Sequence, residues 1–315
     1  MFILASLVLS ATIQATTPEI HAVWDHSGSG LYAGNWPKTM DYLKSKQVTD
    51  VFVNVAGPDF AHYASGILPR SVTFSRKGDQ LAAAIAAAKG RGIRVHAWVI
   101  CFNLTRNNEA ELEKFRKRGW RTKNAKGEIA TYLNPANAAV RAQMLSVIKE
   151  ISSRYDVDGI HIDFVRWGDS SVKPADAASH ITDFVAEVRR HVKRPKWLTA
   201  AVYGKYPACI NSVGQDWTKW LNLDLVDYVV PMDYTESMPK FESFIKQQAA
   251  FSRNAKRTIA GIGVTAYEST LSAAQVSAQI RCVRKYGLAG VALFDLDEKL
   301  EREILPAISK GGDWK

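Results

Sequence analysis

Residues 132–167 read YLNPANAAVRAQMLSVIKEISSRYDVDGIHIDFVRW. Between 139 and 155 the apolar residues recur at helical spacing, and the run GIHIDFVR at 159–166 is short, β-branched and nearly uncharged at its start. A helix running straight into a buried strand is half of a βαβ unit, in which strands lie parallel and are covered on their outer face.

The same alternation extends in both directions. Strand-like runs fall at 21–26 (HAVWDH), 50–56 (DVFVNVA), 94–102 (RVHAWVICF), 197–203 (WLTAAVY), 228–234 (YVVPMDY), 259–266 (IAGIGVTA) and 290–295 (GVALFD). Helical patterns lie between them, at 81–89, 139–155, 175–192, 240–255 and 272–286. Eight strands alternating with helices is the count of a single (β/α)8 barrel, and 315 residues suit one such domain. An open doubly wound sheet is the alternative, but no GxGxxG follows the first strand.

Composition narrows the class. Lys and Arg number 41 against 31 Asp and Glu, giving a net charge of +10 on an otherwise ordinary globular composition. No apolar run approaches the roughly 18 residues of a membrane span. Residues 1–15 (MFILASLVLSATIQA) carry no charged side chain and read as a secretory signal cleaved after Ala15. A secreted or periplasmic protein with its barrel at 16–315 is therefore expected. Three cysteines without a CxxC pair argue against a thiolate zinc or redox site, and pairing of Cys101 with Cys209 stays open. No cofactor and no metal set is indicated by spacing.

In a barrel of this kind, chemistry gathers at the C-terminal strand ends. Those ends carry Asp25, His26, Asn54, His96, Trp98, His161, Asp163, Tyr203, Asp233, Tyr234, Glu236, Tyr267, Glu268, Asp295 and Asp297. Carboxylates flanked by Trp and Tyr suit carbohydrate chemistry, because acids move protons and aromatic faces stack on sugar rings.

The stretch 132–167 closely resembles the signature of the glycosyl-hydrolase-like family ten, with its LNP…VR turn and its YDVDGIH(L/F)D fourth strand. HAVW, VFVNVAGPDFAHYASGILP, RGIRVHAWV, WRTKNAKG and VVPMDY resemble further family segments in the correct order. The resemblance implies a (β/α)8 barrel and a glycoside hydrolase, without naming a substrate. Asp163 matches the aspartate of the family's fourth-strand motif, and Tyr63 and Ser65 match a second-loop motif. The family-18 chitinase pattern DGxDxDxxE is matched only in part, since its glutamate is missing here.

Strand alternation puts Asp163, His161 and Val165 towards the barrel interior, with Ile162 and Phe164 towards the helices. It likewise turns Met232 and Tyr234 inward and Asp233 outward. We therefore expect Asp163 and Glu268 as the catalytic carboxyl groups, with Glu236 and Asp295 as alternatives for the second. Asn54, Tyr63, His96, Trp98, His161, Arg166, Tyr234, Glu236 and Asp295 are the expected substrate contacts, although His96 and Trp98 read equally well as core. Asn134 is expected to brace the turn before Pro135.

Residues 114–126 (KFRKRGWRTKNAK) hold seven Lys or Arg. They form either a solvated face or a surface that attracts an acidic polymer. The expected partner is a carbohydrate polymer, with an anionic one as an option, and nucleic acid is not expected. A catalytically silent glycan-binding or envelope-assembly barrel is the competing reading.

Overall fold

Eight strands run parallel, each pairing with the next: β1 (Ile20–Asp25), β2 (Asp50–Gly57), β3 (Arg94–Ile100) and β4 (Gly159–Asp163), then β5 (Trp197–Tyr203), β6 (Tyr228–Met232), β7 (Ile259–Gly263) and β8 (Gly290–Phe294). β8 returns to β1, with Ile20 opposite Gly290 and Val23 opposite Leu293, so the sheet closes into a barrel. The computed structural model describes residues 19–104, 109–251 and 255–314, and the expected leader at 1–15 lies outside them. No helix among the described residues is long and apolar enough to cross a membrane.

Helices follow the strands: α1 (Trp36–Ser45), α2 (Gln80–Ala88), α3 (Ala138–Arg154), α4 (Ala177–His191), α5 (Trp217–Asn222), α6 (Met238–Ala250), α7 (Ala273–Lys285) and α8 (Leu305–Gly311). Their starts are written in the sequence. Asn137 accepts from the amides of Ala139 and Val140 to open α3, and Ser272 and Gln275 form a reciprocal capping box on α7. The expected turn brace is present, with Asn134 Oδ1 accepting from the Ala136 amide at 3.0 Å. The helix expected at 240–255 starts earlier, because Ser237 caps it, and ends at Ala250.

Two apolar layers result. Val23, Val51, Val95, Ile162, Val229 and Leu293 face outward and pack on the helices, while Ala22, Trp24, Phe52, Trp98 and Val230 fill the barrel interior. Large interior side chains are accommodated by glycines opposite them. A Cβ on Gly159 would stand 2.3 Å from His96 Nδ1, and one on Gly261 would stand 3.0 Å from the Trp24 ring. Low in the interior, Asp50 is held by Arg94 at 2.6 Å and His96 at 2.8 Å. Burial alone would raise the Asp50 carboxyl, but these two partners hold it down at about 2. Cys101, Cys209 and Cys282 are all free and buried, so Cys101 and Cys209 do not pair.

The strand alternation fails at one place. Phe164 adopts φ +47, an uncommon conformation for a non-glycine residue, and this turns the chain as β4 ends. Phe164 therefore faces the barrel mouth and Val165 packs in the outer layer, the reverse of the order expected.

Candidate active site

The C-terminal strand ends surround a cleft of about 570 Å³. Its floor is built by β1, β3 and β4. Asp163 closes β4 and is almost fully buried, and Trp98 of β3 donates its indole N–H to Asp163 Oδ2 at 3.1 Å. Asp163 Oδ1 accepts from the Phe164 amide, a contact created by the turn at Phe164. Burial lifts the Asp163 carboxyl to about 6, against the opposing pull of Arg166 and of these two hydrogen bonds.

One wall is aromatic. Tyr234, two residues past β6, stacks on Phe294 at 5.6 Å and meets the edge of Trp24 at 6.5 Å. Its phenol is raised well above the usual range, first by burial and then by the charges of Asp163, Asp295 and Glu268. The same phenol therefore senses carboxyl groups from β4, β8 and the loop after β7.

Glu268 also lines the cleft and is exposed. It sits with Tyr267 at the tip of a two-residue hairpin, Thr265–Ala266 against Ser269–Thr270. The hairpin is pinned on three sides. Ser269 Oγ donates to the Gly263 carbonyl at 2.6 Å, Thr265 Oγ1 accepts from the Asp295 amide, and Glu236 accepts from the Thr270 amide at 3.0 Å. Glu236 is thus engaged in bracing this hairpin and does not line the cleft. Tyr267 is fully exposed at the rim.

Arg166 lies almost buried on the opposite side. Its guanidinium is 4.6 Å from the Phe164 ring, 4.5 Å from Tyr203 and 5.8 Å from Tyr132. Its ion pair is with Asp169 at 3.3 Å. Asp295 follows Phe294, accepts from the His26 amide at 3.1 Å, and is raised to about 7 by burial and by the neighbouring Asp25 and Asp297 charges. It borders a second cavity on the β1 and β8 side.

Besides Glu236 and Asp295, four expected contacts lie elsewhere. The Tyr63 hydroxyl donates to Glu150 of α3 at 2.7 Å, and Ser65 and the Gly66 amide bind the same carboxylate, so Tyr63 ties a loop to a helix. His96 faces inward as expected but sits below the mouth, on Asp50. His161 lies one layer under Asp163, stacked on Phe52 at 4.1 Å. Trp24 can only donate, so His161 Nε2 accepts at 3.0 Å and Nδ1 carries the proton towards Thr199 Oγ1. Burial holds this imidazole neutral, its basicity well below the usual value. Asn54 is fully buried, and neither amide atom of its side chain has a partner among the described residues. Asp233 faces outward as alternation predicts, bonded to Gln248 of α6 at 2.8 Å.

The basic segment is largely committed locally. Lys114 pairs with Glu111, Arg116 and Lys117 pair with Glu113, and Arg121 donates to the Ala130 carbonyl. Strand ends pointed to Asp163, Trp98 and Tyr234, whereas Phe164, Lys205, Lys240 and Phe244 line the cleft unforeseen. The position of Lys205 just beyond β5 was the available signal for one of them.

Residues 19–170 match the family described as Glycosyl hydrolase-like 10. Among solved structures, the chain is similar to the PgaB (BpsB) glycoside hydrolase domain from Bordetella bronchiseptica, at 14% identity and TM-score 0.70 over 93% of this chain and 98% of that one. It is also similar to a family GH18 chitinase from Cycas revoluta, at 11% identity and TM-score 0.61 over 93% and 99%. The chitinase RmChi1 from Rhizomucor miehei matches at 14% identity and TM-score 0.57 over 92% and 98%. At these identities the likeness is one of fold. No curated protein matches the chain.

Proposed function

We propose that this chain, whose residues 19–170 carry the glycosyl hydrolase-like 10 match, is an exported glycoside hydrolase acting on a polysaccharide or cell-wall-type glycan. The observation that carries the reading is Asp163, a buried carboxyl group with a raised proton affinity on the floor of an aromatic-walled cleft. Such a group holds its proton long enough to deliver it to a leaving oxygen.

In this account Asp163 protonates the glycosidic oxygen as the C1–O bond breaks. The Glu268 carboxylate serves as nucleophile at C1, or as base for the water that adds there. The separation of the two carboxyl groups in the substrate complex fixes which. Tyr234 and Tyr267 offer faces for the sugar rings, and Trp98 orients Asp163. If Glu268 is the nucleophile, water displaces it from C1 and gives its proton to the ionised Asp163; if Glu268 is the base, it takes that proton itself and solvent exchange returns one to Asp163. Release of reducing ends from a panel of cell-wall and exopolysaccharide fractions by the purified protein tests this reading. Binding without release from any of them would favour the glycan-binding alternative.

A further inference from the structure

Three cations line one sector of the cleft. Arg166 follows β4, Lys205 follows β5 and Lys240 lies in the first turn of α6 after β6, so they occupy three successive loops round the barrel. Arg166 is paired with Asp169 and acts on Asp163, whereas the two lysines are not neutralised. Among the described residues, neither Lys205 nor Lys240 has a carboxylate within ion-pair distance, and Lys240 Nζ rests 6.0 Å from the Phe244 ring. Arg166 shares Asp169 with the Tyr203 hydroxyl, which donates to the same carboxylate at 2.9 and 3.0 Å, and Arg166 Nε has no hydrogen-bond partner among the described residues. The aromatic rings around Arg166 steady a cation without cancelling its charge.

We propose that the cleft takes a glycan bearing acidic substituents, and that Arg166, Lys205 and Lys240 form the subsite for one of them; this rests on the glycoside hydrolase reading above. The sector starts at Arg166, three residues past Asp163, and ends at Lys240 on the segment whose Glu236 braces the Glu268 hairpin, so a polymer can present its negative groups to β4–β6 while a bond is held between the two carboxyl groups. Tyr132, which packs on Arg166, belongs to the hairpin Arg121–Lys123 with Ile129–Leu133. Lys123 and Lys126 of that hairpin are exposed and extend the positive surface outward from the cleft. A basic sugar would be repelled here, and a neutral one would leave the cations unused.

The test is titration of the wild type and of the Lys205→Gln/Lys240→Gln variant with three probes: an oligogalacturonate, its carboxyl-reduced neutral counterpart, and a sulfated oligosaccharide. An acidic probe should bind the wild type about 10-fold tighter than the neutral one at low salt, and the variant should lose most of that preference. Raising ionic strength to about 0.5 M should remove it, since screening then acts over only a few ångströms. Equal binding of all three probes, binding of none, or a preference kept in full by a variant of unchanged melting temperature would overturn the proposal. A lysine-dependent preference with no cleavage of any glycan would instead remove the hydrolase reading. Asp163-dependent cleavage of neutral glycans that the lysine variant leaves intact would remove this inference alone.

Discussion

Trp98 and Asp163 come from neighbouring strands, and the indole N–H of the one donates to the carboxyl group of the other at 3.1 Å. A donor aimed at a carboxyl group favours its charged form, so this bond partly offsets the burial that raises Asp163. It couples the orientation of the acid to its proton affinity.

Removing that donor should move Asp163 in a definite direction. With Trp98→Phe the carboxyl group gains further proton affinity, and the alkaline limb of the activity profile should shift upward by about half to one pH unit. Rate against pH for both proteins measures it. An upward shift of the acid limb instead would mean that Asp163 acts in its ionised form.

The two raised carboxyl groups should also show in stability. Asp163 at about 6 and Asp295 at about 7 both lie above ordinary carboxyl values. Their contribution is therefore present at low pH and is lost as pH rises through 6 to 7. Between pH 4 and 8 the wild type should lose up to about 3 kcal/mol relative to Asp163→Asn, judged by denaturant unfolding across that range.

Asp50 has the opposite sign. Its folded value of about 2 means that its stabilisation is present above about pH 4 and is lost as pH falls towards 2. Asp50→Asn should cost about 3 kcal/mol at pH 7, because it leaves His96 and Arg94 without their shared anion. The cleft lies above this cluster, so the pH profile of activity should keep its shape.

Glu236 and Tyr63 separate bracing from chemistry. Glu236→Gln retains an acceptor for the Thr270 amide and should stay close to full activity, while Glu236→Ala should loosen the Glu268 hairpin and lower the rate about 10-fold. Tyr63→Phe should cost about 1 kcal/mol of stability through its lost bond to Glu150, with kcat unchanged. A large kcat loss in Glu236→Gln would make Glu236 the second carboxylate.

The barrel was legible because each strand is a short apolar run between helical patterns, and closure follows once eight such units repeat. Alternation also found the right face for Asp163 and Tyr234. It gave no height along the barrel, which is why His96 and His161 point inward yet sit beneath the mouth. It failed at Phe164, where a left-handed backbone turn interrupts the strand. Tyr63 was misplaced because its partner, Glu150, lies 87 residues away on α3, a relation that no local pattern encodes.

The central claim is that Asp163 delivers the proton that breaks a glycosidic bond, and one comparison reaches it most directly. On a glycan that the wild type cleaves, Asp163→Asn should fold normally and lose at least about 100-fold in kcat, the scale of lost acid catalysis. Glu268→Gln should fall by a similar factor. Full activity in a correctly folded Asp163→Asn protein would contradict the account.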